Sequence, residues 1–237
     1  SMRNNKTQQE KIGPSIEDIG ELSGIETLHP GGLDLSKRIG EIVDMKDRKV
    51  LEVACGRGVF ACYYAKNFGA KITGVDLNPD MIKASINRAK AEGVEGTTEF
   101  KVADAMALPF QSNSFDEVVS ECALGLASDP QKFLNENVRV TKPGGYVAVH
   151  LGVWLRDIPD RERRDVEKRL GGKCLSLPEL KGMVDRAGLV EICSEDWSGI
   201  EQMSKIRPER KIKKIDDIFT LREKVTILLR VLKRFGL

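Results

Sequence analysis

Gly56 and Gly58 follow directly on the apolar run Lys49-Val50-Leu51-Glu52-Val53 and precede a helical stretch. Glycines there supply a tight turn, let backbone approach a ligand, and bring its charged end near the first N–H groups of the helix. Asp76 stands eighteen residues after Gly58, at the end of a second apolar run, where a carboxylate can accept both hydrogen bonds of a ribose diol. An ordinary turn, with Asp76 capping the next helix, is the bland alternative. Proton chemistry has two candidates, His150 and His29, because a neutral imidazole can take a proton near pH 7. A histidine merely hydrogen-bonded at a strand end or in a loop is equally compatible with either position.

Short apolar runs alternate with helical stretches. Strands are expected at Lys49–Val53, Lys71–Asp76, Thr98–Val102, 117–121 and 146–151. Helices are expected from the glycine loop to Phe68, over Pro79–Glu92 and over 131–140, with Pro143-Gly144-Gly145 as a turn. Leu33, Leu35, Ile39, Ile42 and Val43 recur at helical spacing after the break at His29-Pro30-Gly31-Gly32, whose glycines suit a lid hinge or a helix start. Later come a charged helix at 160–170, another at 177–187 and a sixth strand at 189–193. The pattern predicts an α/β fold, a doubly wound, mostly parallel Rossmann-like sheet with helices on both faces.

The 237 residues carry 41% hydrophobic and 31% charged side chains, enough for one large domain and too apolar for global disorder. The net charge of +2 hides an asymmetry: residues 204–237 hold 11 Lys/Arg and 4 Asp/Glu, so the body before them is mildly acidic. No run of about eighteen apolar residues is present, and the polar N-terminus lacks the apolar core of a secretory signal. Five widely spaced cysteines without a Cys-x-x-Cys pair fit reduced thiols, hence a cytoplasmic location, and no metal ligand set is read. Residues 216–235 form an amphipathic helix with a basic flank, the cleanest in the chain.

Glu52-Val53-Ala54-Cys55-Gly56-Arg57-Gly58 resembles motif I of class I S-adenosylmethionine-dependent methyltransferases. Val75-Asp76-Leu77-Asn78-Pro79-Asp80-Met81 is similar to their second motif. Asp104-Ala105-Met106-Ala107-Leu108-Pro109-Phe110 with Asn113-Ser114-Phe115-Asp116 is similar to the third and fourth, and Lys142-Pro143-Gly144-Gly145 to the turn before their fifth strand. The flavour is that of the small-molecule branch that includes ubiquinone and menaquinone biosynthesis methyltransferases. The resemblance implies S-adenosyl-L-methionine as cofactor, S-adenosyl-L-homocysteine as product, and in-line methyl transfer to a small-molecule acceptor. It implies Gly56 and Gly58 under the methionine portion, Glu52 holding the loop or reaching the ammonium through water, and Asp76 on the ribose. Leu77 would lie against the adenine, Asp104 would accept from its amino group, and Ala105 would lie beside the ring. Glu121 and Cys122 would face the sulfonium and the acceptor, with Trp154 and Leu155 lining the acceptor pocket. Ala54 departs from the pattern, standing where glycine is usual.

Cysteine placement opens an alternative. Cys62, Cys122 and Cys174 loosely resemble the thiols of arsenite methyltransferases, and thiolates are soft ligands suited to a thiophilic ion. Buried cysteines acting as small hydrophobes explain them as well. Nucleic-acid methylation is disfavoured, since Ser120-Glu121-Cys122-Ala123 stands where adenine methylation expects Asn-Pro-Pro-Tyr, and aromatics are only 5%. A protein of this fold that binds the cofactor without transferring its methyl, as a sensor or partner subunit, is the alternative of another class. The expected organisation is a lead with a lid at 1–32, the cofactor-binding domain at 33–195 and a basic extension at 196–237. The helix of that extension suits packing on its own domain or in a homodimer, then peripheral contact with an anionic membrane.

Overall fold

Period-two alternation within each apolar run decides which face of a sheet a side chain meets. The computed structural model describes residues 31–154, 159–170 and 172–197. Strands β1 (Lys49–Val53), β2 (Lys71–Asp76), β3 (Thr98–Val102), β4 (Phe115–Glu121) and β5 (Thr141–His150) form one parallel sheet in the order β3-β2-β1-β4-β5. Helices α1 (Gly32–Ile42), α2 (Val59–Phe68), α3 (Pro79–Glu92), α4 (Pro130–Val140), α5 (Asp160–Leu170) and α6 (Leu177–Arg186) surround it.

Val50, Ile72 and Val119 pack with Leu35 and Ile39 of α1, Phe60 and Tyr64 of α2, and Ala89 of α3. Leu51, Val53, Val75 and Val118 take the opposite face, against Phe133 and Leu134 of α4 and Met183 of α6. The sheet is therefore covered on both faces, as its apolar runs predict. Val50, Leu51 and Val53 are fully buried, each contributing about 1.5–3 kcal/mol of apolar burial. Helix starts follow local chemistry: Asn78 accepts from the Asp80 N–H ahead of α3, Asp129 from Lys132 ahead of α4, and Ser176 with Glu179 forms a capping box on α6.

Two expectations are corrected. Lys142–Gly145 is not a turn preceding β5 but a bulge within it, since Thr141 pairs with Phe115 and the next pair is Tyr146 with Glu117. Gly145 is required there, because a Cβ would collide with the Asp116 carbonyl oxygen, and Lys142 Nζ lies 2.7 Å from Asp116 Oδ1. Residues 189–193 form no strand. Val190 is 80% and Ile192 61% exposed, and the chain instead runs to α1, where Arg38 pairs with Glu195 at 2.7 Å and Trp197 joins the core. The expected helix at 216–235, the lead and Leu155 lie outside the described residues.

The sheet also carries a buried acid. Glu117 is 2% exposed on the same face as Val119, and its Oε2 has no hydrogen-bond partner. Burial, partly countered by Arg48, pushes its carboxyl from the ordinary 4.5 up to about 7. The folded protein thus keeps this proton where the unfolded chain has lost it, so stability falls as pH rises from about 4.5 to about 7. Glu117→Gln removes that slope: Tm of the natural protein should drop by about 2–4 °C relative to the variant between pH 5 and pH 8, read by thermal denaturation at both. An unchanged difference would show that Glu117 is solvated.

Candidate functional site

Neighbouring strands β1 and β4 send their chains to opposite faces of the sheet, and such a switch point opens a crevice at the strand ends. Both rims are turned by non-glycine residues in the left-handed region, Ala54 after β1 (φ 61°) and Cys122 after β4 (φ 60°). Ala54 therefore adopts the conformation for which glycine is favoured, which accounts for the glycine usual at that position.

Beyond Ala54 the loop is held from two sides. Asp76 Oδ2 accepts from the Gly56 N–H at 2.9 Å, while Oδ1 accepts from the Asn78 N–H at 2.9 Å. Ser85, fully buried in α3, donates to the Gly56 carbonyl at 2.8 Å, and Arg88 Nε donates to the Arg57 carbonyl. A side chain at Gly58 would fall 2.9 Å from Ser85 Cβ, so the loop presses on α3 there, whereas a Cβ on Gly56 would meet open space. Gly58 also begins α2, whose first turn carries no acidic side chain of its own.

The floor is acidic. Glu52 is 2% exposed; the Ala61 N–H of α2 donates to its carboxylate, and its Oε2 has no partner. Burial first, then the nearby Glu121 and Asp76, hold its carboxyl well above the usual range. Glu121, 8% exposed, lies on the same face and accepts from Tyr64 Oη at 2.7 Å and Ser36 Oγ at 3.2 Å. Ser36, Tyr64 and Ser85 are supports that sequence reasoning missed. A lone hydroxyl at each of three helix positions carried no signal without the fold.

Leu77, at the β2 end, is 70% exposed, an apolar surface open to a flat ring. Asp104 Oδ1 accepts from the Met106 N–H at 2.8 Å, fixing the turn after β3, and Ala105 packs against the core of the second face. At the other rim, Cys122 Sγ lies 3.3 Å from His150 Nδ1, and the Cys122 N–H donates to the His150 carbonyl at 2.7 Å. Cys122 is exposed, yet the surrounding protein, aided by Glu121, raises its thiol to about 12. Trp154 hydrogen-bonds through its backbone to Leu175 and Leu177, and its buried indole nitrogen lies beside Cys174. His29 lies outside the described residues.

The three cysteines do not gather. Cys62 is fully buried in the core between α2 and the sheet, Cys122 sits at the β4 rim and Cys174 beside Trp154. Among the described residues no group of three His, Cys, Asp or Glu side chains is placed to hold a metal ion.

A parallel sheet with this switch point, a clamped glycine loop and a carboxylate at the β2 end defines a Rossmann-like fold with its crevice at the strand ends. Residues 51–149 match the family described as "Methyltransferase domain". The chain is 35% identical over 199 residues to an arsenite methyltransferase of Halobacterium salinarum, covering 80% of this chain and 49% of that one. It is 30% identical over 131 residues to norajmaline N-methyltransferase of Rauvolfia serpentina, covering 54% and 45%. Its fold is similar to that of Haemonchus contortus phosphoethanolamine N-methyltransferase 2 in complex with S-adenosyl-L-methionine. There the TM-score is 0.71 at 22% identity, over 98% of this chain and 54% of the other. The chain spans just under half the length of the curated relatives it matches.

The left-handed backbone at Ala54 gives a direct test. Ala54→Gly relieves about 1 kcal/mol of strain, less the entropy glycine loses on folding, and should raise Tm by about 1–3 °C. A lower Tm would mean that the methyl contributes more by packing than it costs in strain.

Proposed function

We propose that the protein is an S-adenosylmethionine-dependent methyltransferase acting on a small molecule, with the domain spanning 33–195 and flanking segments at 1–32 and 196–237. The observation that carries this is the acidic floor of the glycine loop. Glu52, with an unpartnered buried oxygen, Asp76 and Glu121 stand together there. Such a floor repels a pyrophosphate and favours a ligand with positive charge, as the ammonium and sulfonium of S-adenosylmethionine provide. The residues present fit that cofactor.

Gly56 and Gly58 would pass under its methionine portion, with Ala54 and Glu52 shaping the loop and Glu121 contributing negative charge. Asp76 uses two lone pairs on backbone N–H groups and keeps capacity for the ribose hydroxyls. Leu77 and Ala105 would flank the adenine and Asp104 would accept from its amino group. When bound, the cofactor supplies a methyl group on a sulfonium, already a strong electrophile. The chain then has to align the acceptor and exclude water. His150, beside Cys122 at the rim, would take a proton where the acceptor arrives protonated. A cytoplasmic setting is supported by five free cysteines. No described helix is long and apolar enough to cross a membrane.

Two measurements test the reading. Titration with S-adenosyl-L-methionine should show binding that Asp76→Ala weakens about 10- to 100-fold. Incubation with labelled cofactor and fractionated cell extract should yield a labelled small molecule. Binding without any labelled product would instead identify a non-catalytic cofactor-binding protein.

A thiophilic acceptor is the second reading, favoured by the likeness to an arsenite methyltransferase over most of this chain. It would rest on Cys122, since Cys62 is sealed in the core. Loss of arsenite binding on Cys122→Ser supports it, and full turnover of an organic acceptor by that variant sinks it.

A further inference from the structure

Irregular backbone in a protein interior needs partners, and the segment after β3 finds them in one ion pair. Leu108, 5% exposed, lies in neither a helix nor a strand, and Pro109 after it has no N–H to offer. The Leu108 N–H donates to Glu136 Oε2 at 2.8 Å, and the Leu108 carbonyl accepts from Arg139 Nη2 at 3.0 Å. Arg139 Nη1 donates to the Phe110 carbonyl at 2.8 Å. The same guanidinium grips Glu136 as a fork, Nε to Oε1 at 2.7 Å and Nη2 to Oε2 at 2.8 Å. Two parallel contacts fix direction as well as distance. Arg139 also holds the Glu136 carboxyl below its ordinary range, so the pair stays charged at neutral pH.

This clamp stands one turn away from Asp104. The Ala107 N–H donates to the Asp104 carbonyl at 3.0 Å, closing a four-residue turn, and Leu108 follows directly on it. Ser128, just ahead of the Asp129 cap of α4, donates from Oγ to Met106 Sδ at 3.4 Å, so the turn is held from both ends of that helix. β3 is an edge strand and supports the loop leaving it from one side only. Placement of the Asp104 carboxylate therefore depends on α4, which packs on β4 and β5. One acceptor site of that carboxylate is used on the Met106 N–H, and the others keep capacity for an N–H of a ligand.

We infer that Glu136 and Arg139 are positioning residues for base recognition, setting through Leu108 and the Asp104 turn which base the crevice accepts. This rests on the cofactor reading above, which does not require it. An adenine presents an amino group that a carboxylate accepts, whereas a hypoxanthine presents a carbonyl oxygen that a carboxylate repels. Loosening the clamp lets the carboxylate drift, and the contact that distinguishes the two bases is lost first.

Paired titrations with S-adenosyl-L-homocysteine and S-inosyl-L-homocysteine, which differ only in the base, read this out. The natural protein should prefer the adenine form about 10-fold or more, and Asp104→Ala should abolish the preference. Arg139→Gln should cut it about three- to tenfold, by weakening the adenine form while the hypoxanthine form changes about twofold or less. Arg139→Lys, able to hold Glu136 and one carbonyl, should recover part of what Arg139→Gln loses. A purely structural role lowers Tm or weakens both ligands alike, and an unchanged ratio in Arg139→Gln overturns the inference. So does an Asp104→Ala protein that keeps the preference. Where Arg139→Gln fails to fold, Arg139→Lys and Glu136→Gln carry the same comparison. Failure of the natural protein to bind either ligand overturns the cofactor reading instead.

Discussion

Two backbone N–H groups, those of Gly56 and Asn78, converge on the Asp76 carboxylate, and the position of the glycine loop relative to β2 follows from that. The anchor works only because β1 and β2 are hydrogen-bonded in register, with Val53 beside Val75 and the Cys55 N–H extending the ladder to the Val75 carbonyl. Ser85 then holds the other side of the loop from α3. Loss of Asp76 would release the turn that starts α3 as well as the loop, so in the proposed function cofactor recognition and local order share one side chain. Binding residues of this kind are poor places to separate function from stability.

Much of this frame was legible in the sequence, for a physical reason. Central parallel strands are buried on both faces and read as short apolar runs, so β1, β2 and β4 stand out. The glycine loop and Asp76 were legible for the same reason, since their spacing spans one strand–helix–strand unit. What failed was edge structure. Residues 189–193 have strand-like composition, but composition does not say whether an edge receives it. A pairing of Arg38 with Glu195 draws the following chain to α1. The bulge at Lys142–Gly145 looked like a turn because its glycines serve close approach to Asp116 within a strand.

The buried acids were illegible for a deeper reason. Alternation in Asp116-Glu117-Val118-Val119-Ser120-Glu121 suggests a strand with one wet face, yet α1 and α2 cover the face that Glu117 and Glu121 occupy. At Glu121 the cost is met by hydroxyls from α1 and α2, residues 85 and 57 positions away. At Glu117 and Glu52 it is met only in part, and burial raises both carboxyls above their ordinary range. No local pattern encodes partners so distant.

Strain and charge point to the same place. Ala54 and Cys122 leave their strands through left-handed backbone on either side of the switch, and Glu52 and Glu121 end the same two strands on one face. Left-handed residues turn a chain sharply away from its strand, which opens space between two strands that would otherwise continue side by side. Buried negative charge beneath that space makes it favourable to a cation and costly to leave without one. The Cys122 thiol, raised to about 12, stays protonated and adds no further charge at the rim. The acidic pair therefore lies under the glycine loop, while Cys122 and His150 meet at the opposite rim. In the proposed function, that division would let one floor serve a cationic cofactor while the rim meets the acceptor.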